Sequence, residues 1–248
     1  MGWPSENYLI PAPKIGILRK PYSALVLHFG EFNSKEAFRP CEAAFLSVPE
    51  PEYYRGPGVR GVTVLVSPSN YHSLRASYSQ IPGVTVQQLK LRSRDLNIQS
   101  MLTLMSIDNS SNPPLYMAHV TKVLRDMAAR GRDFDYIDFN ARLSELDLIP
   151  GQRRMLDQRL ELLESFLDLT DAWDGGCFDG MEAGQQLTIV DLSCPFVDAS
   201  AACVLFNICI GLFLSATKAD AVGKVIAVDE AHKASSPNQR HFEMDIFF

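Results

Sequence analysis

The stretch Val225-Ile226-Ala227-Val228-Asp229-Glu230-Ala231-His232 decides the fold class. Four apolar residues run directly into two adjacent carboxylates. This pattern is typical of a buried parallel strand whose end reaches the open edge of an α/β sheet, where ligands bind. A strand that ends in a solvated acidic turn would have the same composition, but here Ala-His follows the acids and a similar strand lies upstream. We therefore expect a parallel α/β sheet with a functional site at the end of this strand.

The upstream strand is Leu187–Leu192, which also ends in an acid, Asp191. Between the two strands, Ala199 to Ala216 is almost entirely apolar, as a crossover helix buried in a protein core would be. The three segments predict a right-handed β-α-β unit, which would place Asp191 and Asp229 at the same sheet edge. Asp191 would either support a site there or serve as an acid that caps a helix or anchors a loop, and the sequence leaves both interpretations open.

Two adjacent carboxylates suit phosphoryl-transfer chemistry. In P-loop NTPases, which such a strand resembles, the first acid of the pair holds the water shell of Mg²⁺ and the second polarises the water that attacks the γ-phosphate; Asp229 and Glu230 stand at these two positions. The loop Gly-x-x-x-x-Gly-Lys-Ser/Thr (Walker A), whose backbone N–H groups cradle phosphates, does not occur in the sequence. Gly223-Lys224 precedes a strand rather than a helix, so it is not such a loop.

The other expected elements surround a helical middle. Further strands are expected at Ala24–Phe29, Val62–Val66 and Val84–Leu89. Helices are expected up to about Tyr78 (capped by Ser67 or Ser69), from about Leu96 to Met105, from Met117 to near Gly131, from Tyr136 to Leu146 and from Pro150 onward. The last helix carries a leucine stripe, Leu156, Leu160, Leu163 and Leu167, which is interpreted as core packing. The organisation expected is a single domain over residues 1–248, with a helical insertion at about 113–170.

Composition excludes several classes of protein. The formal net charge is −6 and the pI about 5.4, so a general nucleic-acid-binding surface is not indicated. The five cysteines form no Cys-x-x-Cys pair and lack histidines at ligand spacing, which favours a reducing compartment and argues against zinc.

The N-terminal residues lack the features of a signal peptide. The apolar segment at Ala199 is interpreted as buried rather than membrane-spanning. We expect an intracellular, soluble protein without a membrane partner, in the nucleus or the cytoplasm.

Three stretches together resemble the HerA/FtsK-like branch of P-loop ATPases, in particular HerA-like proteins. Leu187–Ser193 resembles that family's strand ending in Asp-Leu-Ser, and Gly223–His232 resembles its Walker B strand. The strands within Tyr22–Phe29 and Val62–Leu89 are similar to those that follow the phosphate-loop helix. The resemblance covers roughly Tyr22 to Lys233 and implies a mostly parallel sheet of P-loop NTPase type.

The resemblance also implies roles for individual residues. Asp229 would be the Mg²⁺-water ligand and Glu230 the catalytic residue that activates water. His232 would couple nucleotide state to neighbouring elements, and Asp191 would support the site. The cofactors implied are Mg²⁺ and ATP. The partners implied are DNA and other subunits of a homo-oligomeric ring or a full-length relative.

The sequence departs from the family at both ends of the ATPase core. The phosphate loop expected before Ala24 is missing, and Ser235–Phe248 does not resemble the strand expected after Lys233. We therefore expect an incomplete core, in which ATP binding is doubtful and ATP turnover is absent. Two hypotheses remain open: a fragment of an ATP-driven DNA translocase, or a non-catalytic interaction module that retains the ATPase fold.

Overall fold

The computed structural model describes residues 9–10, 22–30, 39–48, 59–98, 100–101, 115–131, 134–168, 177–178, 185–216 and 223–229. The chain divides into two compact units. The first comprises residues 1–89 and 177–248, and the second comprises residues 90–176. The insertion expected at about 113–170 lies within the second unit.

Seven strands and five longer helices can be given bounds in the described residues. The strands are β1 (Ser23–His28), β2 (Gly61–Val66), β3 (Val84–Gln88), β4 (Leu91–Arg92), β5 (Leu167–Asp168), β6 (Gln186–Asp191) and β7 (Lys224–Asp229). The helices are α1 (Tyr71–Tyr78), α2 (Leu115–Ala128), α3 (Tyr136–Ser144), α4 (Pro150–Phe166) and α5 (Ala199–Ser215). Short 3-10 helices cover Glu42–Ser47, Pro68–Asn70 and Ser93–Asp95.

The first unit is built on a five-stranded sheet in the order β3-β2-β6-β1-β7. Every neighbouring pair is parallel, so the predicted parallel α/β sheet is confirmed. The two acid-ended strands, β6 and β7, were expected to lie side by side or one strand apart, and β1 lies between them. All six residues of β1 are buried, as an apolar inner strand covered on both faces requires.

Helix α5 connects β6 to β7 and lies against β1. Most of its apolar side chains are buried, among them Phe206, Cys209 and Phe213, because the helix covers the sheet. The expectation of burial on all sides is wrong for one stripe, since Asn207, Gly211 and Leu214 are exposed. In the described part of the chain, no helix combines the length and the hydropathy that a membrane crossing requires.

The second unit contains α2, α3 and α4 together with the short parallel pair β4–β5. Asp135 caps α3, because its carboxylate accepts hydrogen bonds from the N–H groups of Ile137 and Asp138. The leucine stripe is buried throughout, which confirms its interpretation as core packing: Leu156, Leu160, Leu163 and Leu167.

Two predictions about helices need qualification. The cap expected from Ser67 or Ser69 is wrong, because Asn70 precedes α1 and no side chain caps the helix. Instead Pro68 opens a 3-10 turn ahead of α1, and proline suits that first position since its missing N–H would lack a partner there. Of the helix expected at Leu96–Met105, residues 98, 100 and 101 are helical, while residues 99 and 102–105 lie outside the described residues.

Substituting Gly223 with alanine should destabilise the first unit. A Cβ at this position would lie 2.5–2.7 Å from three ring atoms of Tyr22, so the ring would have to move out of its packing. We expect a loss of about 1–3 kcal/mol in the free energy of unfolding, measured by urea denaturation. The control is Gly211→Ala in α5, where a Cβ meets nothing within 4 Å. This substitution should raise the free energy of unfolding by about 1 kcal/mol, because alanine favours the helix over glycine. Equal stability of the two variants would contradict the predicted steric conflict.

Candidate functional site

The site lies at the carboxyl edge of the sheet, where β1 ends between two acid-ended strands. His28, the last residue of β1, is in register with Asp191 of β6 on one side and with Asp229 of β7 on the other. Because all three strands are parallel, their last residues meet at one edge. The prediction that Asp191 and Asp229 emerge at the same edge is therefore confirmed.

Asp229 lies in a small cluster with an imidazole and a thiol. Its Oδ2 atom is 2.8 Å from Nδ1 of His28 and accepts a hydrogen bond of 3.5 Å from Sγ of Cys41. The His28 and Asp229 side chains are 11% and 19% exposed, whereas Cys41 is buried. One side of the cluster is therefore open to solvent and the other is closed.

Cys41 is a protonated thiol in this arrangement. Burial raises the pKa of Cys41 well above its usual range, and the charges of Asp229 and Asp191 act in the same direction. The protonated form is the one that donates to Asp229. As it stands, Cys41 is therefore a hydrogen-bond donor and a poor nucleophile, because nucleophilic attack requires the thiolate.

Asp191 has no solvent exposure, and both of its carboxylate oxygens are engaged. Oδ2 accepts a hydrogen bond of 2.7 Å from the Tyr78 hydroxyl, and Oδ1 accepts one of 2.9 Å from the Ser193 N–H. Burial raises the pKa of Tyr78, and the nearby Asp191 charge raises it further, so the hydroxyl keeps the proton that it donates. This geometry agrees with the second interpretation of Asp191, in which the acid anchors the loop that follows it.

The loop after β6 is tied to two other elements of the edge. The Ser193 hydroxyl accepts from the Gly30 N–H at 2.8 Å, and the Ser193 carbonyl accepts from the Asn70 side chain at 2.8 Å. The Leu192 N–H donates to the His28 carbonyl at 3.0 Å. These bonds join the loops after β1 and β6 to the turn before α1, which fixes the rim around His28.

Tyr78 connects the buried Asp191 to the cluster of His28, Cys41 and Asp229. Its hydroxyl donates to Asp191 and accepts from the Cys41 N–H at 2.9 Å. The hydrogen bonds therefore run from Asp191 through Tyr78 to the backbone of Cys41, whose thiol reaches Asp229. A substitution at Asp191 would therefore alter the position of the Tyr78 hydroxyl and, through it, of the Cys41 backbone.

Two of the four predicted site residues are outside this description. Glu230 and His232 lie outside the described residues, so their expected roles stay predictions. Of the described pair, Asp229 takes part in the cluster and Asp191 in the buried hydrogen bonds behind it.

Sequence reasoning missed His28, Cys41 and Tyr78. His28 had a usable signal, because it is a polar residue at the end of an apolar strand, as Asp191 and Asp229 are. Cys41 and Tyr78 had none, since they are 188 and 113 residues away in sequence from the aspartates that they contact. Cysteine spacing excludes zinc sites only where the ligands are close in sequence, whereas the fold brings His28, Cys41 and Asp229 together from distant parts of the chain.

The cluster offers two different kinds of metal ligand. One donor atom from each of His28, Cys41 and Asp229 lies within 4.8 Å of the others, a nitrogen, sulfur and oxygen set that suits Zn²⁺-type cations. Magnesium requires oxygen ligands and keeps most of its water. For that ion only Asp229 is suitable among these three, through Oδ1, which receives no hydrogen bond from the described residues.

No family model, curated protein or solved structure matches this chain.

Proposed function

We propose that this chain is a HerA/FtsK-like ATPase domain of P-loop type, whose carboxyl sheet edge takes a Mg²⁺-bound nucleotide, and that these 248 residues alone do not turn ATP over. The observation that carries the proposal is the position of Asp229. It ends an apolar parallel strand, at the edge where open α/β sheets bind their ligands, in register with His28 of the neighbouring strand.

The chemistry requires a carboxylate that can hold a Mg²⁺-bound water, and Asp229 meets this requirement in part. Its Oδ2 is engaged by His28 and Cys41, while Oδ1 accepts nothing from the described residues. A carboxylate held by one oxygen and open at the other is oriented before a ligand arrives. Bound Mg²⁺ would supply charge neutralisation for the phosphates.

Glu230 follows Asp229 directly and is proposed, by resemblance, to orient and polarise the attacking water. Asp191 is proposed to act on the site only indirectly. Both of its oxygens are used within the protein, so it supports the site by holding Tyr78 and, through Tyr78, the backbone of Cys41. His232 keeps its proposed role of coupling nucleotide state to neighbouring elements. A ring of subunits acting on DNA is proposed on the resemblance alone.

Turnover by these residues is not expected, because positioning and charge stabilisation are most of phosphoryl-transfer catalysis and the phosphate loop supplies much of both. We expect phosphate release with Mg-ATP below about 10⁻³ s⁻¹, the order of a GTPase that lacks its stabilising arginine. The measurement is steady-state phosphate release by the purified protein, compared with Glu230→Gln.

Glu145→Gln is the matched control, because Glu145 is exposed in the second unit and loses the same charge. All three proteins should release phosphate at the same background rate. Turnover that is present in the unsubstituted protein and in Glu145→Gln, but lost in Glu230→Gln, would show that these residues hold the phosphates without the missing loop.

A second candidate function is a non-catalytic interaction module that retains the ATPase fold. The observation that favours it is the position of Asp191, whose carboxylate has no solvent exposure and accepts a hydrogen bond at each oxygen from within the protein. Its proposed partner is a second copy of the chain or a full-length relative. The two candidates differ in whether a metal-bound nucleotide reaches Asp229: it does so in the first and not in the second.

A further inference from the structure

The cluster at the end of β1 and β7 brings together the three side chains that most often bind zinc in proteins, an imidazole, a thiol and a carboxylate. One donor atom from each of His28, Cys41 and Asp229 lies within 4.8 Å of the other two. Two of the separations are 2.8 Å, from Nδ1 to Oδ2, and 3.5 Å, from Sγ to Oδ2. Around a tetrahedral zinc ion, with bonds of about 2.0–2.3 Å, ligand atoms lie roughly 3.3–3.7 Å apart. All three separations therefore lie within about 1.5 Å of those around one tetrahedral ion.

The backbone positions of the three residues are well fixed. His28 and Asp229 end adjacent strands and are in register, so sheet hydrogen bonds hold their Cα atoms in place. The carbonyl of His28 also accepts from the Leu192 N–H at 3.0 Å. Sites built on strands of a sheet are held more accurately than sites built on loops.

Cys41 is outside the sheet, but buried hydrogen bonds hold it. Its N–H donates to the Tyr78 hydroxyl, and that hydroxyl donates to Asp191. Its carbonyl accepts from the Ala44 N–H at 3.0 Å, in the turn that begins the Glu42–Ser47 helix. Partners of this kind, one step behind the ligands, orient the ligands of metal sites.

We propose that His28, Cys41 and Asp229 bind one thiophilic divalent cation of the Zn²⁺ type, with water completing a four-coordinate site. The thiol of Cys41 gives its proton to solvent, and the resulting thiolate forms the metal–sulfur bond. The carboxylate of Asp229, which is partly exposed, provides the side from which the ion and its water enter. This proposal does not rest on the proposed ATPase function. Because Asp229 is common to both, a bound zinc ion would withdraw Asp229 from Mg²⁺.

The test uses Co²⁺ as a spectroscopic substitute for Zn²⁺ on the full chain, reduced and freed of metal, without nucleotide. We expect one equivalent of Co²⁺ to give thiolate-to-cobalt charge transfer in the near ultraviolet and the intense visible bands of a four-coordinate ion. Zn²⁺ should abolish both signals at one equivalent, and an excess of Mg²⁺ should leave them unchanged. Absence of the thiolate signal in the unsubstituted protein would overturn the proposal.

Variants separate this site from other cysteines of the chain. Cys41→Ser should abolish the thiolate signal, while Cys203→Ser, at a partly buried cysteine of α5, should retain it. His28→Gln and Asp229→Asn should retain sulfur ligation but weaken Zn²⁺ binding by about 100-fold or more, since losing only the partner of a ligand already costs 10–100-fold. A thiolate signal that persists in Cys41→Ser, or Zn²⁺ affinity that is unchanged in both other variants, would contradict the proposal.

Folding is checked in every variant by circular dichroism and thermal melting. If Cys41→Ser does not fold, the His28→Gln and Asp229→Asn affinities decide the question, because neither change alters the thiol. Mg-ATP binding is measured separately, on protein free of Zn²⁺ and Co²⁺, because zinc at Asp229 would exclude Mg²⁺. Co²⁺ binding in the first experiment without Mg-ATP binding in the second would support the zinc site and count against the ATPase proposal, and the reverse result would do the opposite.

Discussion

Replacing Asp191 with alanine should lower the free energy of unfolding by about 2–4 kcal/mol, the largest single-site effect that we expect at the carboxyl edge. The side chain has no solvent exposure and accepts from the Tyr78 hydroxyl and the Ser193 N–H. Alanine would leave both donors buried without a partner, and each such group costs about 1–3 kcal/mol. In a chain of this length, a loss of that size lowers the melting temperature by about 5–15 °C.

The measurement is chemical denaturation of Asp191→Ala, with Asp157→Ala as the control. Asp157 is exposed on α4, so its substitution should change stability by no more than about 0.5 kcal/mol. The free energy of unfolding of Asp191→Asn should lie between those of the two alanine variants. The amide oxygen still accepts from the Ser193 N–H, while the Tyr78 hydroxyl loses an anionic acceptor. If Asp191→Ala were as stable as Asp157→Ala, the carboxylate would not be anchoring the loop after β6.

A double-mutant cycle with Tyr78→Phe tests the buried chain of hydrogen bonds directly. Each single change breaks the 2.7 Å bond between the Tyr78 hydroxyl and Asp191, so their effects should not add. We expect a coupling free energy of about 1–3 kcal/mol, which is typical of two groups in one buried hydrogen bond. Additive effects would mean that the bond contributes nothing to stability.

The main architecture was predictable from sequence, because it follows from local patterns. The apolar runs that became β1, β2, β6 and β7 are the strands that a buried parallel sheet requires. The apolar helix between β6 and β7 made a β-α-β unit, and the parallel direction and common edge of Asp191 and Asp229 followed from it. These predictions needed only the type of each segment and the short connections between them.

The order of the strands in the sheet could not be predicted from local sequence patterns. The insertion of β1 between β6 and β7 pairs residues about 160–200 positions apart in the chain. Such a pairing is determined by the packing of the whole sheet, and no repeat or spacing in the sequence reports it. The position of His28 between the two aspartates, and hence the composition of the site, depends on this one feature.

Individual contacts were the least predictable part of the site. The sequence patterns correctly predicted Asp191 and Asp229 as acids at strand ends. They could not distinguish an acid that is available to ligands from one that is buried with both oxygens hydrogen-bonded within the protein. That distinction rests on Tyr78, from α1, and on Ser193, two residues beyond Asp191. Cys41, read as one of several scattered cysteines, contacts Asp229 only because the fold brings the start of the Glu42–Ser47 helix to the end of β7.

The second large effect concerns the proposed nucleotide site, where Asp229→Asn should abolish metal-dependent nucleotide binding. The carboxylate at this position is the one oxygen ligand for a Mg²⁺ water shell among His28, Cys41 and Asp229. Because the sequence contains no Gly-x-x-x-x-Gly-Lys-Ser/Thr loop, we expect weak affinity for the nucleotide, so the effect is best observed as the location of the bound metal. Mn²⁺ serves for this purpose, because it accepts similar ligands and broadens the nuclear magnetic resonances of nearby atoms.

The most direct measurement is Mn²⁺ broadening of backbone amide signals in the presence of ATP. The two ends of the strands are about 17 Å apart, since each of the five steps between six residues rises by about 3.3 Å, and the broadening falls steeply with distance. We predict strong loss of signal at Gly30, Leu192 and Ser193, little at Gly61 and Lys224 at the opposite edge, and dependence on ATP. Asp229→Asn should abolish the effect, while Asp157→Asn, with the same loss of charge, should preserve it. Broadening that is equal at both edges, independent of ATP or unchanged in Asp229→Asn would contradict a nucleotide site at the carboxyl edge of this sheet.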